Sequence, residues 1–354
     1  MLKLQDLRDF LPDDRSAVLV TGEINRRWLS GFPASDGAVV ITKTRSVLMI
    51  DFRYFEAAQK SVQPPMEVVR CTRLIDDLNR LFLQENIQSV YIEDETVTVA
   101  YCSELQAALI PEVLTEGLSA RINELRLIKS PAETEKIITA QRIAERAYYE
   151  VLNMLRPGVT ERRIALELEH LIKLYGGERV AFDLICITGE NTSLPHGVPG
   201  DRVVKEGDFF TFDIGAVYDG YHSDMTRTVA VGSASDEMRM IYDIVLQAHL
   251  KGADAAVAGS TAADVDIAAR DYIESCGYGE YFGHSTGHGV GLEIHEAPAV
   301  YKTNHTVLRD NMVITVEPGI YLPGKFGVRI EDMYLVKGAQ AVDLAEIPKE
   351  LTII

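Results

Sequence analysis

Five side chains carry the chemistry this sequence advertises: Asp213, Asp224, His288, Glu317 and Glu331. The first two lie on β-favouring arms either side of Asp219-Gly220, a strong two-residue turn signal. A hairpin closed there sets Tyr218 opposite Tyr221, Asp213 opposite Thr226, and Asp224 opposite Gly215. Strand side chains alternate with period two, so both carboxylates share one face, with Gly215 leaving room between them. Two close carboxylates on an apolar background are costly unless a cation or a proton neutralises them. A metal pair and an acid/base dyad are the functional alternatives; the structural one is that Asp213 merely closes a turn or both acids face solvent.

The run 283–296 places His284, His288 and His295 among Gly287, Gly289 and Gly291. Those glycines oppose a helix and suggest a backbone passing close to another group, with imidazoles turned inward. Imidazole offers a neutral nitrogen ligand or a proton carrier near neutral pH. His170, His249 and His305 stand alone, and His222 flanks the hairpin turn, so all four read as ordinary structural histidines. Glu317 ends a β-favouring run before Pro318, and 327–336 reads as one further strand that puts Arg329 and Glu331 on a common face. Each glutamate alone could be a strand-edge charge. Arg329 could pair with Glu331 or Asp213, or hold a substrate carboxylate.

The elements that must position these residues fall into two sets. With 354 residues, two domains are expected, meeting near residues 115–130 and divided as 1–125 and 126–354. The first set reads as α/β alternation: strands at 17–21, 38–41, 47–51, 68–71 and 90–92, and helices at 73–85 and 97–109. The second opens at Ser130-Pro131-Ala132-Glu133, a helix start with a capping box and an early proline. An apolar stripe then runs from Ile137 to Leu155. Further helices are expected at 160–175, 236–257 and 261–275, with strand blocks after each helix pair. That recurrence hints at an internal structural duplication.

Composition bounds the class. Apolar residues make up 47% and charged residues 25%, ordinary for a globular protein. The net charge of −18 disfavours nucleic acid and anionic membranes, which need clustered Lys and Arg. No apolar run is long enough to span a membrane, and the first residues do not resemble a signal peptide. Four scattered cysteines suit a reducing compartment, so a cytoplasmic location is expected.

The ordered set Asp213, ten residues, Asp224, then a Gly-His-Gly loop, Glu317-Pro-Gly, and Arg329-Ile-Glu331 resembles the pita-bread metallopeptidases, in the aminopeptidase P and prolidase branch. The likeness covers residues 130–354. Residues 1–125 resemble the creatinase/prolidase-type N-terminal domain in size and in the string 25–32. The resemblance implies an α+β pita-bread C-terminal domain with pseudo-two-fold duplication. It implies two divalent ions held by Asp213, Asp224, His288, Glu317 and Glu331. The mostly oxygen donor set suits Mn, while Co, Zn or Fe could also occupy it.

By the same resemblance, Glu317 handles the proton of the attacking water, and His295 stabilises the tetrahedral intermediate. His196 and His284 line the substrate pocket, and Arg329 belongs to the substrate site. The implied substrate is a proline-containing peptide, cleaved by an Xaa-Pro aminopeptidase or, alternatively, an Xaa-Pro dipeptidase. The implied assembly is a homodimer. A methionine aminopeptidase-like enzyme, a creatinase-like amidinohydrolase and a non-catalytic peptide-binding relative are the remaining alternatives. The last two would not keep all five ligands.

Overall fold

The computed structural model describes residues 2–354. The chain divides into two compact units, Met1–Arg126 and Leu127–Ile354.

Unit 1 is built on a six-stranded sheet of β1 (Ser16–Val20), β2 (Ala38–Ile41), β3 (Ser46–Ile50), β4 (Met66–Arg70), β5 (Ser89–Ile92) and β6 (Glu112–Leu114). Its order is β4-β3-β2-β1-β5-β6. Pairings β1–β2 and β2–β3 are antiparallel and the others parallel. The central strands are buried along their length, as continuous runs such as Val18-Leu19-Val20 require. Helices α1 (Leu2–Phe10), α2 (Glu23–Ser30), α3 (Phe52–Ser61), α4 (Leu74–Gln84), α5 (Val99–Ala108) and α6 (Leu118–Leu127) surround it. The sequence pattern anticipated α4 and α5 only. The others are short or weakly periodic, and α2 is fixed instead by polar burial: Glu93 accepts hydrogen bonds from the Thr21 and Gly22 amides and from Asn25. Trp28 packs inside this unit.

Unit 2 opens with α7 (Pro131–Leu152) and α8 (Glu161–Leu174). Ser130 and Glu133 form the reciprocal capping box expected from their spacing. Strands β7 (Arg179–Val180), β8 (Ile185–Thr188), β9 (Phe209–Ile214), β10 (Ala216–Tyr218), β11 (Tyr221–His222) and β12 (Met225–Ala230) follow. They form two small sheets, β11-β10-β7 and β12-β9-β8. A second helix pair, α9 (Asp236–Ala255) and α10 (Ala262–Ser275), precedes β13 (Gly287–Gly289), β14 (Glu296–Val300), β15 (Val313–Val316), β16 (Gly319–Leu322), β17 (Phe326–Arg329), β18 (Asp332–Lys337) and β19 (Gln340–Asp343). The order β14-β13-β15-β18-β19 makes a five-stranded sheet, and β16 pairs with β17. A helix pair followed by a strand block thus occurs twice.

The single strand expected over 327–336 is two strands. β17 and β18 belong to different sheets, and the chain changes sheet at Ile330-Glu331, where Glu331 makes an isolated bridge to Thr226. Period-two reading cannot see this break, because both halves are buried and β-favouring.

Beside it lies a buried polar network. His249 on α9 meets the Ile330 carbonyl through Nδ1 at 3.2 Å and the Tyr334 hydroxyl through Nε2 at 2.8 Å. Asp332 receives Arg227 at 2.7 Å and Lys349 at 2.9 Å. Burial, with the cations Lys349 and Arg227 adding to it, pushes the His249 pKa down to about 3. The folded state therefore holds this ring neutral while the unfolded chain protonates it below its ordinary value of 6.5. Its contribution is fully present above that value and is lost as pH falls towards 3, at up to about 1.4 kcal/mol per pH unit. Urea unfolding of wild type and His249→Gln should show a stability difference that shrinks between pH 7.5 and pH 5. A constant difference would contradict this assignment.

Candidate metal centre

The hairpin forms with the expected register. Tyr218 pairs with Tyr221 and Asp213 with Thr226, around Asp219 and Gly220 at positive φ. One expectation is corrected. Gly215 does not make room between the carboxylates: a Cβ there would lie 2.0 Å from the Ser223 carbonyl oxygen and 2.9 Å from Ala181. The ladder breaks at this point, between β9 and β10 on one arm and β11 and β12 on the other, and Asp224 sits buried in the second break.

The glycine-rich run behaves as its composition suggested. β13 is wedged between β14 and β15, and a Cβ at Gly289 would fall 2.2 Å from the Ala297 carbonyl oxygen. His288 projects from this strand with its Nδ1 3.0 Å from the Gly289 carbonyl. That contact assigns the proton to Nδ1 and leaves the Nε2 lone pair facing Asp224 and Glu317, each 3.5 Å away. The His295 ring stands edge-on to His288, with centroids 4.3 Å apart. Its turn is braced by the buried Lys129–Glu296 pair at 3.2 Å and by the Glu293 amide donating to Glu296.

One ligand atom each from Asp224, His288 and Glu331 falls within a 4.8 Å set. Glu317 stands 3.5 Å from His288 Nε2, and the Arg329 guanidinium lies 2.5 Å from Asp213 Oδ2. All five line one cavity of about 930 Å3, together with His196, His284, His295 and Arg329. The nine residues singled out in the sequence are therefore brought together.

The electrostatics favour cations. Burial raises the Glu331 carboxyl well above its usual range, and repulsion from Asp224, Glu317 and Asp213 adds to it. Asp224 is raised for the same reasons, by burial first and then by Asp213 and Glu317. Burial lifts Glu317 to about 8, with Arg329 opposing and Asp213 reinforcing. Asp213 is raised by burial against the pull of Arg329. Its Oδ1 is buried with no hydrogen-bond partner. One guanidinium cannot neutralise four clustered carboxylates, two buried and two half-buried, and an oxygen-rich set with one neutral imidazole nitrogen and an orphaned carboxylate oxygen fits divalent ions.

Two residues play parts the sequence left open. Arg329 donates to Asp213, to the Tyr321 hydroxyl at 2.8 Å, to Thr226 at 3.1 Å and to the Pro195 carbonyl at 3.2 Å. Of its possible partners, Asp213 is the one it meets. His284 has both nitrogens engaged, by the Ser285 carbonyl at 2.7 Å and the Tyr321 hydroxyl at 2.9 Å. Burial and the nearby Arg329 charge lower its pKa to about 4, so the ring is neutral. His196 is exposed at the cavity wall. His222 is a buried structural histidine whose amide donates to the Gly291 carbonyl. Sequence reasoning missed Tyr321, which links His284 to Arg329, and the Thr226 hydroxyl, which donates to Glu331 at 2.6 Å. Neither carries a spacing signal.

A cavity walled by carboxylates and imidazoles, at the meeting of two helix-and-sheet halves, defines a metal-dependent hydrolase. Residues 135–338 match the model for metallopeptidase family M24, and residues 4–128 match the creatinase/prolidase N-terminal domain. The chain is a metallopeptidase of family M24, and unit 2 has its pita-bread fold. It is 38% identical to an Xaa-Pro dipeptidase of Pyrococcus horikoshii, over 99% of this chain and 98% of that protein. The structure of an Xaa-Pro dipeptidase from Bacillus anthracis superposes with a TM-score of 0.95 at 41% identity, covering 100% and 99% of the two chains. An X-Pro aminopeptidase from Thermotoga maritima gives 0.93 at 35% identity, covering 99% and 100%.

Asp224→Ala and Glu331→Ala should each abolish tight divalent-ion binding in calorimetric titration while the fold persists by circular dichroism. Undiminished metal stoichiometry in either variant would remove that residue from the ligand set.

Proposed function

We propose that this chain is an Xaa-Pro aminopeptidase, releasing an N-terminal residue that precedes proline. The observation that carries the reading is the convergence of Asp213, Asp224, His288, Glu317 and Glu331 on one cavity with His196 and His295 in its wall. Asp213, Asp224, His288, Glu317 and Glu331 would hold two divalent ions, with Mn favoured by the hard donor set. When bound, the ions supply Lewis acidity that acidifies water and polarises the scissile carbonyl.

The chain's own groups supply the rest. Glu317 accepts a proton from the attacking water and returns it to the departing proline nitrogen, balancing the hydrolysis. His295 donates a hydrogen bond to the oxygen on which negative charge develops. The Arg329–Tyr321–His284 chain fixes Asp213 on one side, and the Gly289 carbonyl fixes His288 on the other. His196 contacts the substrate from the outer wall.

A longer peptide is favoured over a strict dipeptide by the size of the cavity. Its volume of about 930 Å3 is near the upper end of the roughly 300–1,000 Å3 that holds drug-sized ligands. Its wall continues along α8 through Arg162, Leu166 and Glu169, which offers lining for residues after the proline. The dipeptidase reading is kept as the second one, because two of the similar proteins above carry that name.

Release of the first residue should be compared for Xaa-Pro and Xaa-Pro-Yaa-Zaa with Mn added. The tetrapeptide should be cleaved at least as well; cleavage of the dipeptide alone would establish the dipeptidase reading, and turnover by metal-stripped protein would reject both. His295→Ala should retain metal and lose roughly 10²- to 10³-fold in kcat, as removal of an oxyanion donor does; metal loss in that variant would reassign the residue. We further infer a homodimer in the cytoplasm, a setting that suits four unpaired cysteines. A monomer in sedimentation, or recovery from the culture medium, would refute the corresponding part.

A further inference from the structure

We infer that Glu161 is a positioning residue for the reaction: its carboxylate clamps both ends of the loop that presents His196 to the substrate. The inference rests on the peptidase reading for its consequence and on geometry for its mechanism.

Glu161 is the first residue of α8 and is completely buried. It forms no ion pair among the described residues, yet it is satisfied. Oε1 accepts from the Thr188 amide at 2.8 Å and from Asn191 Nδ2 at 2.9 Å. Oε2 accepts from the Gly200 amide at 2.9 Å. Thr188 and Asn191 stand at the start of the loop and Gly200 at its end. The main chain repeats the closure, with the Glu161 amide donating to Arg202 and the Arg162 amide to Gly200. A buried carboxylate is tolerable only where donors converge on it, and three N–H groups of the loop, meeting Glu161 at the start of α8, satisfy that condition.

Between those ends lie Pro195, His196 and Gly197, all in the cavity wall. The His196 ring is exposed and makes no hydrogen bond among the described residues. Its position is therefore set by the backbone. The Pro195 carbonyl is held by Arg329, and the Gly197 amide closes a turn onto Leu194. Those ties fix the tip of the loop; Glu161 fixes its base. The three hydrogen bonds demand an acceptor at both oxygens. Glutamine would present an N–H2 group to at least one donor and release one end.

The test uses the full-length, metal-loaded enzyme. Glu161→Gln should raise amide hydrogen exchange over residues 188–200 while leaving exchange elsewhere and metal stoichiometry unchanged. It should lower kcat/KM for an Xaa-Pro peptide by roughly 10- to 100-fold, the cost of a small displacement of a contact group, with KM rising. In a His196→Ala background the same substitution should have little further effect on kcat/KM. Unchanged exchange over 188–200 would overturn the clamp. Additive losses in the double variant would overturn its action through His196. If Glu161→Gln does not fold, Asn191→Ala removes a single donor and should give the same exchange pattern at smaller amplitude; no change there overturns the clamp as well. A wild-type enzyme that cleaves no Xaa-Pro peptide would reject the functional reading, while the exchange result would still judge the clamp.

Discussion

Four carboxylates, buried or half-buried around one imidazole, are the constraint on which the rest of unit 2 depends. Asp213, Asp224, Glu317 and Glu331 repel one another and have lost much of their hydration. Among the described residues, the cation that reaches the group is Arg329, whose closest contact is with Asp213. Such an arrangement is stable only with added positive charge, and the fold is organised to keep it from relaxing. The acids stand on backbone that is locked from several sides, so they cannot swing out to solvent.

The locking is done mostly by hydrogen bonds between distant segments. Thr226 pairs with Glu331 through an isolated backbone bridge and donates its hydroxyl to the same carboxylate. Arg227, next in sequence, donates to the carbonyls of Thr226 and Glu331 and to Asp332. Hairpin and break are thus tied at the point where two ligands approach. On the opposite wall, the Gly289 carbonyl sets the tautomer of His288, and Thr315 receives the His288 amide at 3.1 Å. Glu331, His288 and Asp213 are thus each held by a neighbouring group, Thr226, Gly289 and Arg329 in turn, which is how metal sites keep their geometry.

Several parts of the fold were legible in the chain because local chemistry alone decides them. Ser130 and Glu133 specify a capping box whatever lies around them, and Asp219-Gly220 specifies its turn because the pair tolerates positive φ. Helices α7 to α10 follow apolar stripes of the expected period. By contrast, α2 depends on Glu93, some seventy residues away, and the break between β17 and β18 depends on Thr226, about a hundred residues away. No local pattern encodes partners that distant.

The five candidate ligands themselves were readable from residue type, order and their likeness to a known family. Asp213 and Asp224 also followed from hairpin geometry, because a two-residue turn fixes register for several residues on each side. What only the tertiary structure decided is who neutralises whom. Arg329 turned to Asp213, His284 was taken up by Tyr321 and Ser285, and Glu161 was placed beneath the His196 loop. The reason is physical: which charge pairs with which donor depends on burial and on distances across sheets. Those are properties of the packed chain, not of any window of its sequence.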